Sequence, residues 1–333
     1  MSPRLPAIGR PSRRAVTAAA TLALVALASW GAMHAVKPGA LRETFATVSW
    51  PWVVAAAIAY AVGQIASGLV WGVGLRAGGV GVGRRHVMSA HWLGHGAGEI
   101  LPAQLGHVVR FAAIRRHPAA RREGCLRVAG SMGAHRAVDS LVTFVVMALA
   151  VMVIPLPAGA GVLRWVAGVT LAGLVLALVA AWRLGPGRAE RLVPRRLRGP
   201  VADLARGAAL FSRREHVVAA VALQLVAVGG RVVSLAALLQ AFHMPPGAAL
   251  LVFALIVLSG LLAISPGGVG VREAALVPAL VATYGLGAQS AIAFSLGIQA
   301  TALVVSLMGA AVALLSDRLW PPHAAGAPAP SLA

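Results

Sequence analysis

The stretch Ile264–Val277, "ISPGGVGVREAALV", lies inside one of the most apolar regions of a 333-residue chain. A proline, three glycines and an adjacent Arg-Glu pair have no place in an ordinary membrane helix. Proline removes a backbone donor, glycine loosens the helix, and each charge at a helix centre costs roughly 2.5–3.5 kcal/mol. The stretch therefore predicts a break in the backbone, with charge placed at the break.

Its surroundings set the class of the molecule. The chain is 59% hydrophobic and 11% charged, with a mean hydropathy of +0.83. A soluble domain carries about a quarter charged residues. Runs such as "AVTAAATLALVALASWGAM" and "WVAGVTLAGLVLALVAAW" approach the roughly 20 residues that cross a bilayer. The sequence thus predicts an all-α polytopic membrane protein. Full spans are expected at about 15–35, 51–75, 128–153, 164–182, 217–241 and 291–315, and two further segments, 87–114 and 249–283, are interrupted by Pro and Gly.

The net charge of +20 would suit nucleic acid, but its distribution argues otherwise. Tracts 1–14, 76–86, 115–127, 183–216 and 316–333 hold 22 of the 29 Lys and Arg residues, in short runs set off by apolar segments, and no basic domain with interleaved aromatics stands among them. That is the positive-inside pattern of cytoplasmic loops, not a nucleic-acid surface. It places both termini and the Arg-rich loop 183–216 in the cytoplasm of a bacterial cell. The basic run at 1–14 precedes a first apolar segment with no clean cleavage site after it, so that span is expected to be retained. Cys125 is alone, which excludes an internal disulfide. The Pro/Ala-rich tail 316–333 is expected to be disordered.

With that orientation, segment 87–114 begins and ends on the cytoplasmic side, and segment 249–283 begins and ends outside. Both are expected to dip into the membrane and return. Each half, 15–153 and 154–315, then reads span, span, re-entrant hairpin, span, the second inverted relative to the first. The hairpin tips match: Pro102-x-x-x-Gly106 precedes Arg110, and Pro266-x-x-x-Gly270 precedes Arg272. Interrupted segments in corresponding positions of an inverted repeat build a site near the midplane. Trp30, Trp50, Trp52, Trp71, Trp165, Trp182 and Trp320 fall near expected interfaces, as an aromatic belt requires; Trp92 does not.

Seven ionisable residues other than His fall within apolar segments: Glu99, Arg110, Arg136, Asp139, Arg231, Arg272 and Glu273. Unrelieved, they would cost about 20 kcal/mol. Arg136 and Asp139 share a helical face, which suits an ion pair or the wall of a transport path. Arg272 and Glu273 point about 100° apart and need different partners, Glu273 meeting Arg231 or Arg136 and Arg272 a ligand. A half-helix starting after Pro266, Gly267, Gly268 and Gly270 would present bare amides and a positive dipole end, and Arg272 would add a full charge: a phosphate site. Pro102, Gly106, His107 and Arg110 would offer a weaker second version. His91, His95 and Glu99, at i, i+4 and i+8, suit the polar wall of a cavity better than a metal site. No catalytic nucleophile–base set, cofactor loop or metal motif stands out, so neither an enzyme nor a cofactor is expected.

At these residues the chain resembles the flippase-like membrane region of lysylphosphatidylglycerol synthases, a family found also as stand-alone membrane proteins. The likeness covers about residues 15–315. Its pattern P-G-G-x-G-x-R-E stands intact from Pro266 to Glu273. The pattern L-P-x-x-x-G-D/E-x-x-R appears as "LPAQLGHVVR", with His107 where the family commonly has an acid, so that acid's role does not carry over. The resemblance implies translocation of an anionic or phosphate-bearing membrane lipid, or support of envelope-lipid assembly by a partner transferase. The synthases add an aminoacyl-transferring domain; this chain stops near residue 320, so no such transfer is expected. A proton-coupled carrier of small solutes is a further reading, with the carboxylates as proton sites. Oligomeric state is not legible.

Overall fold

The computed structural model describes residues 38–101, 105–153, 198–262 and 270–319, with scattered positions between 164 and 176. The expected span 15–35, most of 164–182 and the tail beyond 319 lie outside the described residues, as do the tip residues Pro102, Pro266, Gly267 and Gly268.

Among the described residues the chain forms helices and no strand. They are α1 (Pro38–Ala46), α2 (Trp50–Ala77), α3 (Arg84–Ile100), α4 (Leu105–Ile114), α5 (Pro118–Arg122), α6 (Cys125–Val153), α7 (Arg198–Gly207), α8 (Arg214–Ala241), α9 (Ala249–Leu262), α10 (Val271–Tyr284) and α11 (Ala288–Leu319). Four of these, α2, α6, α8 and α11, are long and apolar enough to cross a membrane. Their outer faces carry stripes of exposed aliphatic residues at helical spacing, such as Val54, Ile58, Val62 and Ile65 on α2, and Val304, Met308, Val312 and Leu315 on α11. Such faces are matched to lipid rather than water. The protein is an all-α, multi-pass membrane protein.

Both interrupted segments are broken where the prolines and glycines fall. Segment 87–114 becomes the α3–α4 pair, whose helices meet backbone to backbone. A Cβ added at Gly94 would lie 2.8 Å from the Gly106 carbonyl oxygen, and one at Gly106 would lie 2.8 Å from the Gly98 amide nitrogen. Segment 249–283 becomes α9 and α10, packed on each other. Gly270 caps α10 at φ 86°, a left-handed conformation that favours glycine.

Long-range packing couples the two halves. Helix α2 lies against α8, where Gly63 faces Ala227 and Gly230 faces Ala59, each added Cβ meeting a backbone oxygen within 2.9 Å. Small residues let membrane helices approach this closely. Helix α3 packs on α11: Trp92 covers Gly309, Gly96 meets Ser306 and Ala310, and the Ser89 hydroxyl donates to the Ala313 carbonyl at 3.2 Å. Helix α9 packs on α6 and α10 on α11.

Three features add to the expected plan or depart from it. The described part of the Arg-rich loop is helical, because α7 docks on α6 through Gly130 and Gly207, each facing a carbonyl of the other helix. The helix before the tail runs on to Leu319. Trp71 is fully buried rather than interfacial, its indole N–H donating to the Ser131 hydroxyl at 3.2 Å. Trp50, Trp52 and Trp165 are exposed as a belt requires; Trp30, Trp182 and Trp320 lie outside the described residues.

Candidate functional site

Polar residues from seven helices converge on one cavity of about 310 Å³. Helix α2 contributes Tyr60, Gln64 and Ser67, α3 contributes His91, His95 and Glu99, and α4 contributes His107 and Arg110. From α6 come His135, Arg136 and Asp139, from α8 Arg231 and Ser234, from α10 Arg272, and from α11 Thr301. The apolar remainder of the wall includes Leu238, Phe253, Ile256 and Ile298. Six of the seven intramembrane charges singled out in the sequence therefore share one wall. Only Glu273 does not.

Asp139 holds the centre of the charge network. One carboxylate oxygen accepts from Gln224 Nε2 at 2.6 Å and Arg231 Nη2 at 2.9 Å; the other accepts from Arg136 Nη1 at 3.2 Å. The expected Arg136–Asp139 pair thus forms within α6, and Arg231 extends it to α8. All three charged side chains also line the cavity, so one cluster ties the helices together and faces the cavity. Glu99 and Arg272 complete the charged lining of the cavity.

Glu273 has a different place from the one its sequence neighbours suggested. Its carboxylate accepts the Gly270 amide at 2.6 Å, the Ser295 hydroxyl at 2.9 Å and the Gln299 side-chain amide. It is buried and meets neither Arg231 nor Arg136. A Glu at the third helical position closing back on the cap amide is half of a capping box. The Gly270 amide is therefore held by the chain's own carboxylate rather than left bare. Gly106 and Gly270 shape the two breaks without lining the cavity.

The histidines form a wall. His91 and His95 stack at 6.1 Å between ring centroids, and the Tyr60 hydroxyl lies 3.0 Å from His95 Nε2. His135 Nε2 is 3.0 Å from the Ser67 carbonyl oxygen. That carbonyl can only accept, so the nitrogen carries the proton. Among the described residues, no group of three or more His, Cys, Asp or Glu is arranged to hold a metal ion.

Sequence reasoning passed over Tyr60, Gln64, Ser67 and His135. The signal was present: positions 60, 64, 67 and 71 fall at i, i+4, i+7 and i+11, one polar-lined face of an otherwise apolar helix.

What remains is a membrane-embedded cavity with four guanidiniums against two carboxylates. A family model for the lysylphosphatidylglycerol synthase transmembrane region matches residues 18–309. The chain belongs to that family. No curated protein matches it. The lysylphosphatidylglycerol synthase transmembrane region spans both long-helix pairs and both broken segments, so the whole cavity wall falls within the matched residues.

Proposed function

We propose that this family member is a lipid flippase-like protein of the bacterial cytoplasmic membrane, moving an anionic or phosphate-bearing lipid without chemistry of its own. The observation that carries the reading is the charge of the cavity. Two guanidiniums stand in excess of the carboxylates, inside a structure where every unrelieved charge is costly. A phosphate headgroup crossing about 30 Å of hydrocarbon faces the same cost from the other side, and the two penalties offset when they meet. Arg272, at the first turn of α10, supplies charge from one broken segment, and Arg110 from the other.

The packing supports an inverted repeat. Helices α2 and α8, each leading into a broken pair, cross at Gly63 and Gly230. The α3–α4 pair lies on α11 and α9 on α6, so each broken pair packs on the long helix that follows the other. Two halves related in this way give a central site two routes of access, one from each side. The termini and the Arg-rich tract are placed in the cytoplasm by the positive-inside rule.

Two measurements test this. In proteoliposomes carrying labelled phosphatidylglycerol, Arg272→Ala should lower the flipping rate at least tenfold while the purified protein melts as before; unchanged flipping removes the mechanism. For topology, Cys125→Ser with single cysteines at Gly81 and Arg116 should be labelled by an impermeant maleimide from the cytoplasm, and at Gly247 and Gly287 from outside. All four positions are exposed. If the two ends of either broken segment label from opposite sides, that segment crosses the membrane and the repeat is lost.

A further inference from the structure

The charged and polar groups of the cavity wall are not equally satisfied. Asp139, Arg136 and Arg231 are paired, and His135 is hydrogen-bonded. Arg110 and His91 are not. Arg110 is 6% exposed, yet its Nε and Nη2 have no hydrogen-bond partner, and the guanidinium instead lies on the Trp71 ring, 3.9 Å from its centre. His91 is 4% exposed and leaves both ring nitrogens unpartnered.

The two residues are brought together by the glycines of the hairpin. Arg110 runs against the α3 backbone at Gly94, where an added Cβ would sit 3.0 Å from the Arg110 Cα. His91 lies one turn earlier on that same face, and both residues border the cavity. An uncompensated buried cation destabilises a fold, and apolar residues of similar volume are often more stable in its place. The Trp71 face relieves only part of that cost. A ligand explains what folding does not.

We propose that Arg110 and His91 form the seat for one phosphate-type oxyanion, a phosphodiester headgroup or free phosphate. Nε and Nη2 lie on one edge of the guanidinium as parallel donors, a spacing matched to two oxygens of such an anion. Both are turned away from solvent here, so binding involves a change of side-chain torsion that turns this edge toward the cavity. His91 supplies a third donor. The inference rests on the cavity being the headgroup site and names the residues that hold the charge.

The test uses the full chain purified in an uncharged maltoside detergent, melted in the presence of dihexanoyl phosphatidylglycerol, inorganic phosphate or uncharged dihexanoylglycerol. Phosphatidylglycerol should raise the melting temperature and dihexanoylglycerol should not. Arg110→Met should melt higher than the parent without ligand, yet bind phosphatidylglycerol roughly 30-fold or more weakly, the usual loss when one partner of a buried charge pair is removed. Arg110→Lys, keeping charge but not the fork, should fall between. An Arg110→Met protein that misfolds, or that binds as tightly as the parent, would make the guanidinium a structural cation and overturn the seat. Inorganic phosphate matching phosphatidylglycerol would keep the seat and overturn lipid as its ligand. Arg110-dependent binding without flipping would keep the seat and overturn transport.

Discussion

Replacing Asp139 by Ala should cost about 3–5 kcal/mol of stability, the range found when one partner of a buried ion pair is removed. Both oxygens of this carboxylate are in use, and its three donors come from two helices. Without it, Arg231, three-quarters buried, keeps its positive charge in the wall it shares with Arg110, while the more exposed Arg136 adds little. The penalty is then chiefly that of a stranded cation rather than of lost hydrogen bonds. A double substitution separates the two. Asp139→Ala with Arg231→Met removes charge from both sides and should recover most of the loss, because the pair itself contributes little beyond an apolar contact. Melting of the purified variants in detergent reads both effects. A single variant within about 1 kcal/mol of the parent, or a double variant no better than the single, would show that the cluster does not hold α6 to α8.

The second large effect is expected at Gly106. Its added Cβ would press on the Gly98 Cα and amide nitrogen, both at 2.8 Å, and on the Gly94 carbonyl. These are backbone atoms and cannot rotate aside, so Gly106→Ala should part α3 from α4 and cost about 3 kcal/mol. Gly133 on α6 provides the control. Nothing lies within 4 Å of its added Cβ, so Gly133→Ala should gain about 1 kcal/mol from helix propensity. Opposite signs at the two glycines are the expected result. A gain at both would mean that the close approach of α3 and α4 does not matter for stability.

Much of this architecture is legible in the sequence because membrane helices are written in unbroken apolar runs, and their interruptions in Pro and Gly. Residues 51–75, 128–153, 217–241 and 291–315 become α2, α6, α8 and α11 with ends displaced by a few residues. That Glu99, Arg110, Arg136, Asp139, Arg231 and Arg272 need pairing, hydration or a ligand was legible too; that all six would border one cavity was not. Nor was partner choice. Glu273 finds its donors on Ser295 and Gln299, more than twenty residues on, and hydropathy carries no information about which buried hydroxyl meets which carboxylate. Asp139 and Arg231 are 92 residues apart, and only the crossing of α6 and α8 brings them together. Trp71 misleads for another reason: an indole near a span end reads as an interfacial anchor, unless the arginine that will lie on it is known.

The meeting of α2 and α8 at Gly63 and Gly230 bears on which residues the bundle can accept there. Main chain rests on main chain, the atoms nearest an added Cβ at either glycine being backbone of the other helix. A side chain in that place could rotate aside for a newcomer; backbone cannot. The spacing of these two long helices therefore depends on hydrogen atoms standing where every other amino acid would place carbon.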